Sequence, residues 1–419
     1  MERLRYNFKG IILFILSWFS TWTPGLYAVN ISEVKTVSLR NADDFMAPTV
    51  IRKGMDDKLV LNFDILGDQH SNLRYRFKHQ NSDGKDSRLL DHEYIEGFNE
   101  FPIEDFAYSS NTYVHYVNYN VIIPDKQLNL LHSGEFVIQI FSEEDPDNII
   151  LEVPFSVSEN KTEISGNVTS RTDKGYNSEY QQLSFAIDIS SFGHINPYQD
   201  LIVTVVQNNT PSTKRILKNP TRIEGKKLIY DHQPQLIFDA GNEFRRFETV
   251  RADYPGMRVD SVQFIDTNWH AWLREDEVRQ DNEYIYDQTQ KGRFKVDEYY
   301  SQDPDLGADY ITVHFILNAP QISGGKIYLD GDITGHLYDD DSMMKYDWQD
   351  GKYHNRMLLK QGSYNYKYIV VSDEGNVISS SPIEGNKYET RNEYLVRVYL
   401  REPGSRGDRL IGHSVLEFN

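Results

Sequence analysis

Short segments in which apolar and polar residues alternate recur along the whole chain, and this pattern most constrains the fold. Leu73 to His79 alternates apolar side chains with basic ones, and turn-forming residues follow at 81–84. Successive side chains of a β-strand point to opposite faces, so this alternation is typical of a strand with one buried face. Many such strands separated by turns predict an all-β protein built of β-sandwiches in tandem.

The composition agrees with this fold class and narrows the function. The 419 residues include 28 Tyr and 21 Phe, and aromatic residues are enriched in strands. The formal net charge of −19 argues against nucleic-acid binding, which needs a basic footprint, and against an anionic membrane surface. Because the chain has no Cys, disulfides, cysteine-ligated metals and thiol nucleophiles are excluded.

The first residues have the pattern of an export signal, and we expect residues 1–28 to be a secretory signal peptide. Basic side chains precede an apolar run at 11–19, and Ala28 ends a plausible cleavage site. The apolar run is well short of the roughly 20 residues that a membrane-spanning helix needs. An uncleaved anchor is the alternative. The pattern predicts an exported protein.

Polar linkers divide the remaining chain into strand-rich blocks. We place boundaries in the polar segment 158–162 and in the linker 301–305. The predicted units are a first β-sandwich at 29–160, a second at 161–300, a third at 301–400, and a loop-rich tail at 401–419. Within the second unit, 269–273 fits either a strand or part of an amphipathic helix, and its neighbours favour the strand.

The stretch 241–248 combines a Gly-Asn turn with two Arg and two Phe residues. In strand geometry Phe244 and Arg246 face one way, and Arg245 and Phe247 face the other. Two interpretations are open at this stage. The arginines pair with local carboxylates in an ordinary sheet strand, or the strip contacts a partner, because Arg and Phe are favoured at contact surfaces.

The sequence contains no recognisable motif for catalysis or cofactor binding. A nucleophile elbow, a zinc-protease helix, a phosphate loop and a dinucleotide fingerprint are all absent. Acidic turns occur at 145–147, 303–305, 330–332 and 339–341, but none has the spacing of an EF-hand calcium loop. We therefore predict no enzyme activity, no catalytic residue, no cofactor and no metal. A hydrolase with paired carboxylates stays open, because their separation is three-dimensional.

The third block resembles the early-set, immunoglobulin-like β-sandwich modules that accompany glycogen- and starch-active proteins. The similarity lies at 325–332, 350–353 and 359–368. Those modules usually carry an Asn-Trp pair after the Gly-Asp, whereas this chain has Thr-Gly-His at 334–336. Without that aromatic platform the module is expected to be a scaffold. A periplasmic or surface carbohydrate-binding module protein is the alternative function.

Nearly the whole chain after the signal resembles the plug protein of the Bacteroidetes type IX secretion system. The segments that carry the resemblance are 93–99, 145–147, 241–247, 303–305 with 308–310, 359–368 and 409–412. The chain departs at 79–84, where the family often has a His-Cys-Asn-Ala-Asp-Trp run. The resemblance implies a periplasmic subunit that is held at the outer membrane by a partner. It would bind the large translocon barrel and seal its periplasmic opening.

That resemblance also implies a contact surface, and the strongest contacts of an interface come from aromatic and Arg anchors at its centre. We expect no nucleic acid, no small-molecule substrate and no direct membrane span. The candidate partner-binding residues are Tyr94, Phe98, Phe244, Arg245, Arg246 and Phe247.

Overall fold

The computed structural model describes residues 28–29, 34–125, 128–375 and 377–418. The predicted signal peptide, 1–28, lies outside these residues except for Ala28. Strands dominate the described residues and form several sheets, which confirms the predicted all-β fold of tandem sandwiches. Within the same ranges, no helix has the length and apolar character needed to cross a membrane.

The first sandwich is continuous in the chain. Its strands are β1 (Ala28–Val29), β2 (Val34–Asn41), β3 (Val50–Arg52), β4 (Leu59–Leu66), β5 (Leu73–Gln80), β6 (Phe101–Pro102), β7 (Phe106–Tyr108), β8 (Tyr116–Ile123), β9 (Gly134–Ser142) and β10 (Asp145–Ser158), with the short helix α1 (Asp91–Tyr94) after β5. One sheet has the order β1-β10-β9-β5-β6, with β3 beside β10, and the other has the order β2-β4-β8-β7. Leu61 of one sheet packs with Phe77 and Phe136 of the other in a shared core.

The second sandwich begins after a short polar connection. Its first strands are β11 (Glu163–Thr169), β12 (Tyr180–Asp188), β13 (Leu201–Gln207), β14 (Arg215–Leu217), β15 (Arg222–Glu224), β16 (Lys227–Tyr230) and β17 (Ile237–Asp239), with 3-10 turns at Pro211–Thr213 and Pro234–Leu236. One sheet has the order β11-β12-β16-β15, with β17 also beside β12. The partner sheet is completed by strands from the end of the chain.

The third sandwich follows directly. Its elements are β18 (Arg245–Glu248), β19 (Val259–Ile265), β20 (Asn268–Leu273), β21 (Asp276–Glu277), β22 (Phe294–Val296), α2 (Pro304–Gly307), β23 (Tyr310–Asn318), β24 (Gly325–Asp330), a 3-10 turn (Asp332–Thr334), β25 (Lys345–Asp347), β26 (Lys352–Lys360), β27 (Gly362–Ser372), β28 (Ile378–Ser379) and α3 (Ser381–Glu384). One sheet has the order β18-β27-β22, with β24 and β28 also on β27. The other has the order β19-β20-β23-β26-β25, with β21 beside β23. The strand interpretation of 269–273 is confirmed by β20.

The chain then returns to the second sandwich with β29 (Glu393–Leu400) and β30 (Arg409–Glu417). β29 pairs antiparallel with β13, which gives a sheet of order β14-β13-β29-β30. Val203 and Val396 share one core with Tyr230 of the opposite sheet. The third sandwich is therefore inserted between β17 and β29 of the second.

This connectivity differs from the predicted units in three places. The third sandwich starts inside the predicted second unit, 161–300. The end of the predicted third unit, 301–400, contains β29 of the second sandwich, and the predicted loop-rich tail, 401–419, contains the buried strand β30. The backbone N–H of Lys387 donates to the carbonyl oxygen of Gly241 at 2.7 Å, so the insertion leaves and rejoins the second sandwich at one point. Pairing between strands so far apart in sequence leaves no local pattern, because periodicity reports burial of a face and not the partner strand.

A buried polar cluster joins the first and third sandwiches. Lys360 Nζ lies 2.8 Å from Asp64 Oδ2, and both side chains are 0% exposed. The hydroxyl of Tyr310 donates to the same oxygen at 2.7 Å. Burial raises the pKa of Asp64, and Lys360 is the main group that opposes this rise. Because a buried charge needs its partner in place, the pair fixes how β4 and β26 meet.

The other two junctions are also polar. Between the first and second sandwiches, Arg409 donates to both carboxylate oxygens of Glu159 at 2.7 and 2.9 Å. Burial opposes ionisation of Glu159, but the hydrogen bonds led by Arg409 outweigh it and lower its pKa to about 2. Between the second and third sandwiches, Arg293 donates to Glu393 at 2.8 Å. Each sandwich thus contacts the other two.

Candidate partner-binding surface

Four of the six predicted contact residues are buried: Tyr94 is 4% exposed, Phe244 4%, Arg245 8% and Phe247 0%. Phe247 stacks on Tyr364 in the core of the third sandwich, with ring centroids 5.1 Å apart. Side chains in such positions are not available to a partner. This corrects the prediction for these four residues, whose positions are structural.

Arg245 pairs with carboxylates of its own sandwich, as the first of the two interpretations of 241–248 expects. Its guanidinium lies 2.8 Å from Asp276 and 3.1 Å from Glu384. Burial disfavours the Glu384 carboxylate, but Arg245 and Arg279 overcome this effect and lower its pKa to about 2. Arg246 pairs with Asp287 at 2.7 Å at the edge of the same sandwich. Neither arginine therefore offers an unpaired charge to a partner.

Phe98 is the remaining predicted contact residue, and it is 92% exposed. It lies in the loop between α1 and β6 of the first sandwich. A single exposed aromatic side chain is common on protein surfaces, so Phe98 alone does not define a contact surface.

A larger set of exposed aromatic side chains lies where the first and third sandwiches meet. The loop before β8 supplies one, β19 supplies another, and loops of the third sandwich supply the rest. Their exposure ranges from 44% for Phe264 to 68% for Tyr300. We define the aromatic surface as these five exposed side chains, Tyr113, Tyr254, Phe264, Tyr299 and Tyr300, together with two half-buried side chains that contact them, Arg251 and Trp269 of β20.

Ring contacts join the members of the aromatic surface into two groups. The ring centroid of Tyr113 lies 4.7 Å from that of Phe264, which lies 5.3 Å from that of Trp269. The guanidinium of Arg251 lies between 5.3 and 5.6 Å from the ring centroids of three tyrosines, Tyr254, Tyr299 and Tyr300. Tyr, Trp and Arg are the residue types that dominate binding energy at protein interfaces, so the composition fits a protein contact.

A groove of about 530 Å³ runs through the aromatic surface, between Tyr113, Trp269 and Tyr300. Its floor is held by Asp309, which accepts backbone hydrogen bonds from Tyr113 at 2.8 Å and from Val114 at 3.0 Å. These bonds cross from the first sandwich to the third, so the groove exists only when the two are docked. The described residues that line it include four carboxylates and no Lys, Arg or His.

Comparison with known proteins decides the family. A family model described as "Type 9 secretion system plug protein 1st domain" matches residues 34–159, which is the first sandwich. The crystal structure of a hypothetical protein from Parabacteroides merdae ATCC 43184 is 36% identical, with a TM-score of 0.92. The match covers 94% of this chain and 99% of that one.

The chain belongs to the type IX secretion system plug protein family. No curated protein matches it. Membership associates this plug-family protein with type IX secretion and with the cell envelope. It also supports a structural rather than a catalytic role.

Sequence reasoning missed the aromatic surface of this plug-family protein because its members come from separate segments of the chain. One local signal was present. Tyr299 and Tyr300 are adjacent, and neighbouring side chains in an extended segment point in opposite directions. One buried face therefore cannot take both rings, and the two are 67% and 68% exposed.

The part of this plug-family protein that resembles early-set modules lacks a flat aromatic platform at 334–336, where those modules usually carry an Asn-Trp pair. His336 is 1% exposed and its Nδ1 lies 2.8 Å from Asp330 Oδ1. Trp348 is 75% exposed, but its ring contact with Tyr346 is edge-on, at 82°. Stacking on a sugar needs an open ring face, and an edge-on pair does not extend that face into a platform.

One group of side chains in the described ranges has the proximity that a metal ion needs. Asp347, Asp350 and His354 each offer one ligand atom, and these atoms lie within 4.8 Å of one another. His354 Nε2 already lies 2.8 Å from Asp350 Oδ2. Two of the three side chains therefore already pair with each other, and the group lies on an exposed hairpin.

Proposed function

We propose that the protein is a non-enzymatic periplasmic subunit that binds the outer-membrane translocon barrel of the type IX secretion system and seals its periplasmic opening. The observation that carries this proposal is the family match over the first sandwich, 34–159. The predicted export signal at 1–28 agrees with a periplasmic location. The protein would reach the outer membrane through its partner.

The contacts among the three sandwiches support the fixed shape that a seal requires. A wide barrel leaks unless a body of fixed shape closes it, and separate domains on flexible linkers would not keep a fixed shape. Here buried or partly buried ion pairs cross all three junctions, and the Asp64–Lys360 pair is completely buried. Because the third sandwich is inserted in the second, the chain passes between these two sandwiches twice. These features support a rigid cap.

A carbohydrate-binding role is the alternative, and the exposed Trp348 is the feature that favours it. A single exposed indole ring can stack on a sugar. The edge-on Tyr346 and the buried His336 give it no further sugar-facing support.

A mild-detergent pull-down of the tagged full-length protein from its own cell envelope, followed by mass spectrometry, separates the two roles. The proposal predicts recovery of a very large outer-membrane barrel protein, and the same recovery with Trp348→Ala. An unrelated tagged periplasmic protein is the background control. Recovery of the protein alone, or retention on glucan that Trp348→Ala abolishes, would contradict the proposal and favour carbohydrate binding.

A further inference from the structure

We propose that the groove between Tyr113, Trp269 and Tyr300 receives a segment of the translocon that carries a Lys or Arg side chain. This inference rests on the proposed function and adds the contact surface and the chemistry of the partner segment.

The charge of the groove selects a cationic partner. Its lining carboxylates are Asp253, Glu298, Asp303 and Asp309, and no described lining residue is basic. Asp309 is occupied by backbone donors of the first sandwich, and Asp253 pairs with Arg251 at 2.9 Å. Glu298 accepts hydrogen bonds from the backbone N–H groups of Tyr300 and Ser301 in its own loop, and these donors carry no positive charge.

Asp303 adds a second negative charge to the groove lining, and it is exposed. Glu298 and Asp303 therefore give the groove a local negative potential that a Lys or Arg head group would neutralise. The net charge of −19 for the whole chain has the same sign, so it steers a basic segment toward this protein and repels an acidic one.

The aromatic side chains suit the same partner. A cation within about 6 Å of a Tyr or Trp ring centroid is attracted to the ring face. The aromatic surface already holds one cation in this way, since Arg251 lies 5.3 Å from the ring centroid of Tyr300. A partner Lys or Arg could lay its aliphatic stem along Trp269 and Tyr113 while its charged head reaches Glu298.

The groove is formed before any partner arrives. Gln361 accepts the backbone N–H of Asp309 at 2.8 Å and donates to the carbonyl oxygen of Val250 at 3.1 Å. The side chains of Asp309 and Gln361, at the floor of the groove, are both buried and hydrogen-bonded. A preformed site loses little conformational entropy on binding, so a short segment is enough to occupy it.

Two substitutions in the full-length protein test the proposal against purified translocon barrel in detergent. Tyr300→Ala removes an exposed ring, and we expect about tenfold weaker binding. Asp303→Lys reverses one charge, and we expect weaker binding together with a smaller dependence of affinity on salt between about 0.05 and 0.5 M. Both side chains are exposed, and unchanged thermal unfolding verifies that the variants fold.

Matched controls come from exposed residues outside the groove. Trp348→Ala removes a ring that is 75% exposed, and Asp56→Lys reverses a carboxylate whose side chain is 96% exposed. Both controls should bind within about twofold of the wild type, because residues outside a contact contribute little.

Tyr113→Ala removes the groove ring that the first sandwich supplies. Like Tyr300→Ala, it should weaken binding.

A photo-crosslinking residue in place of Tyr300 identifies the partner segment directly. The crosslinked translocon peptide should contain Lys or Arg and no excess of acidic residues. Wild-type binding that the groove variants leave unchanged, or a crosslinked segment without a cationic residue, would overturn this inference alone. Failure of the wild type to bind the translocon would overturn the proposed function and the inference with it.

Discussion

Replacing Lys360 with Met removes one half of the ion pair that joins the first and third sandwiches. The ammonium lies 2.8 Å from Asp64 Oδ2, 2.7 Å from the carbonyl oxygen of Asp305, and 4.1 Å from the ring centroid of Tyr116. Both charged side chains are 0% exposed. A buried carboxylate that loses its countercharge destabilises a protein by about 3–5 kcal/mol, so Lys360→Met should lower the free energy of unfolding by that amount.

The double variant Asp64→Asn/Lys360→Met isolates the charge from the packing. Replacing a whole buried ion pair by neutral groups of similar volume is often close to neutral. An Asn side chain at position 64 retains one oxygen, which can replace either the carboxylate oxygen that accepts from Asn118 or the one that accepts from Tyr310. We therefore expect the double variant to recover more than half of the loss. Lys78→Met removes a surface ion pair with 43% and 57% exposed side chains, and it should have no measurable effect.

Urea unfolding followed by circular dichroism, at several pH values, measures these effects. Burial already raises the pKa of Asp64, and loss of Lys360 raises it further. A carboxyl with a raised folded-state pKa stabilises the fold at low pH and loses that contribution as pH rises. The gap between Lys360→Met and the wild type should therefore shrink as pH falls. An unchanged unfolding midpoint, or a double variant as unstable as the single one, would refute this account of the junction.

Two further predictions concern buried charges. Arg245→Glu should destabilise the third sandwich by more than about 4 kcal/mol, since it places a third carboxylate beside Asp276 and Glu384. Arg246→Glu, at the sheet edge, should cost less than about 1 kcal/mol in urea unfolding, and equal losses would contradict this. Burial disfavours the charged form of His336, but Asp330 raises its pKa to about 9. Its stabilisation is complete below pH 6.5 and is lost as pH rises through about 9. The thermal midpoint should fall over that window, and the same fall in His336→Gln would disprove the assignment.

Local periodicity was sufficient for the strands and insufficient for their partners. The alternation at 73–79 matches β5, and the strand favoured at 269–273 lies within β20. The return of β29 and β30 to the second sandwich was not visible, because the pairing of β13 with β29 joins segments on opposite sides of an inserted sandwich. Inward and outward faces are encoded in a strand, whereas its neighbour is decided by the whole chain.

The contact surface was harder to predict for a related reason. Arg and Phe in 241–248 have the composition of an interface, but composition does not report burial. Phe247 and Arg245 became core and buried-network residues because β18 pairs with the central strand β27. The aromatic surface draws one ring from the first sandwich and the rest from the third, so only the docked structure brings Tyr113 next to Phe264.

Conductance through the purified translocon barrel in a planar lipid bilayer shows directly whether the protein seals the periplasmic opening. The full-length protein is added to the periplasmic side at concentrations that saturate its binding to the purified barrel in detergent. We expect conductance to fall when the protein is added and to recover when it is washed out. We expect Tyr300→Ala to need a higher concentration for the same effect. A barrel that binds the protein and still conducts fully would contradict the claim that this protein seals the opening.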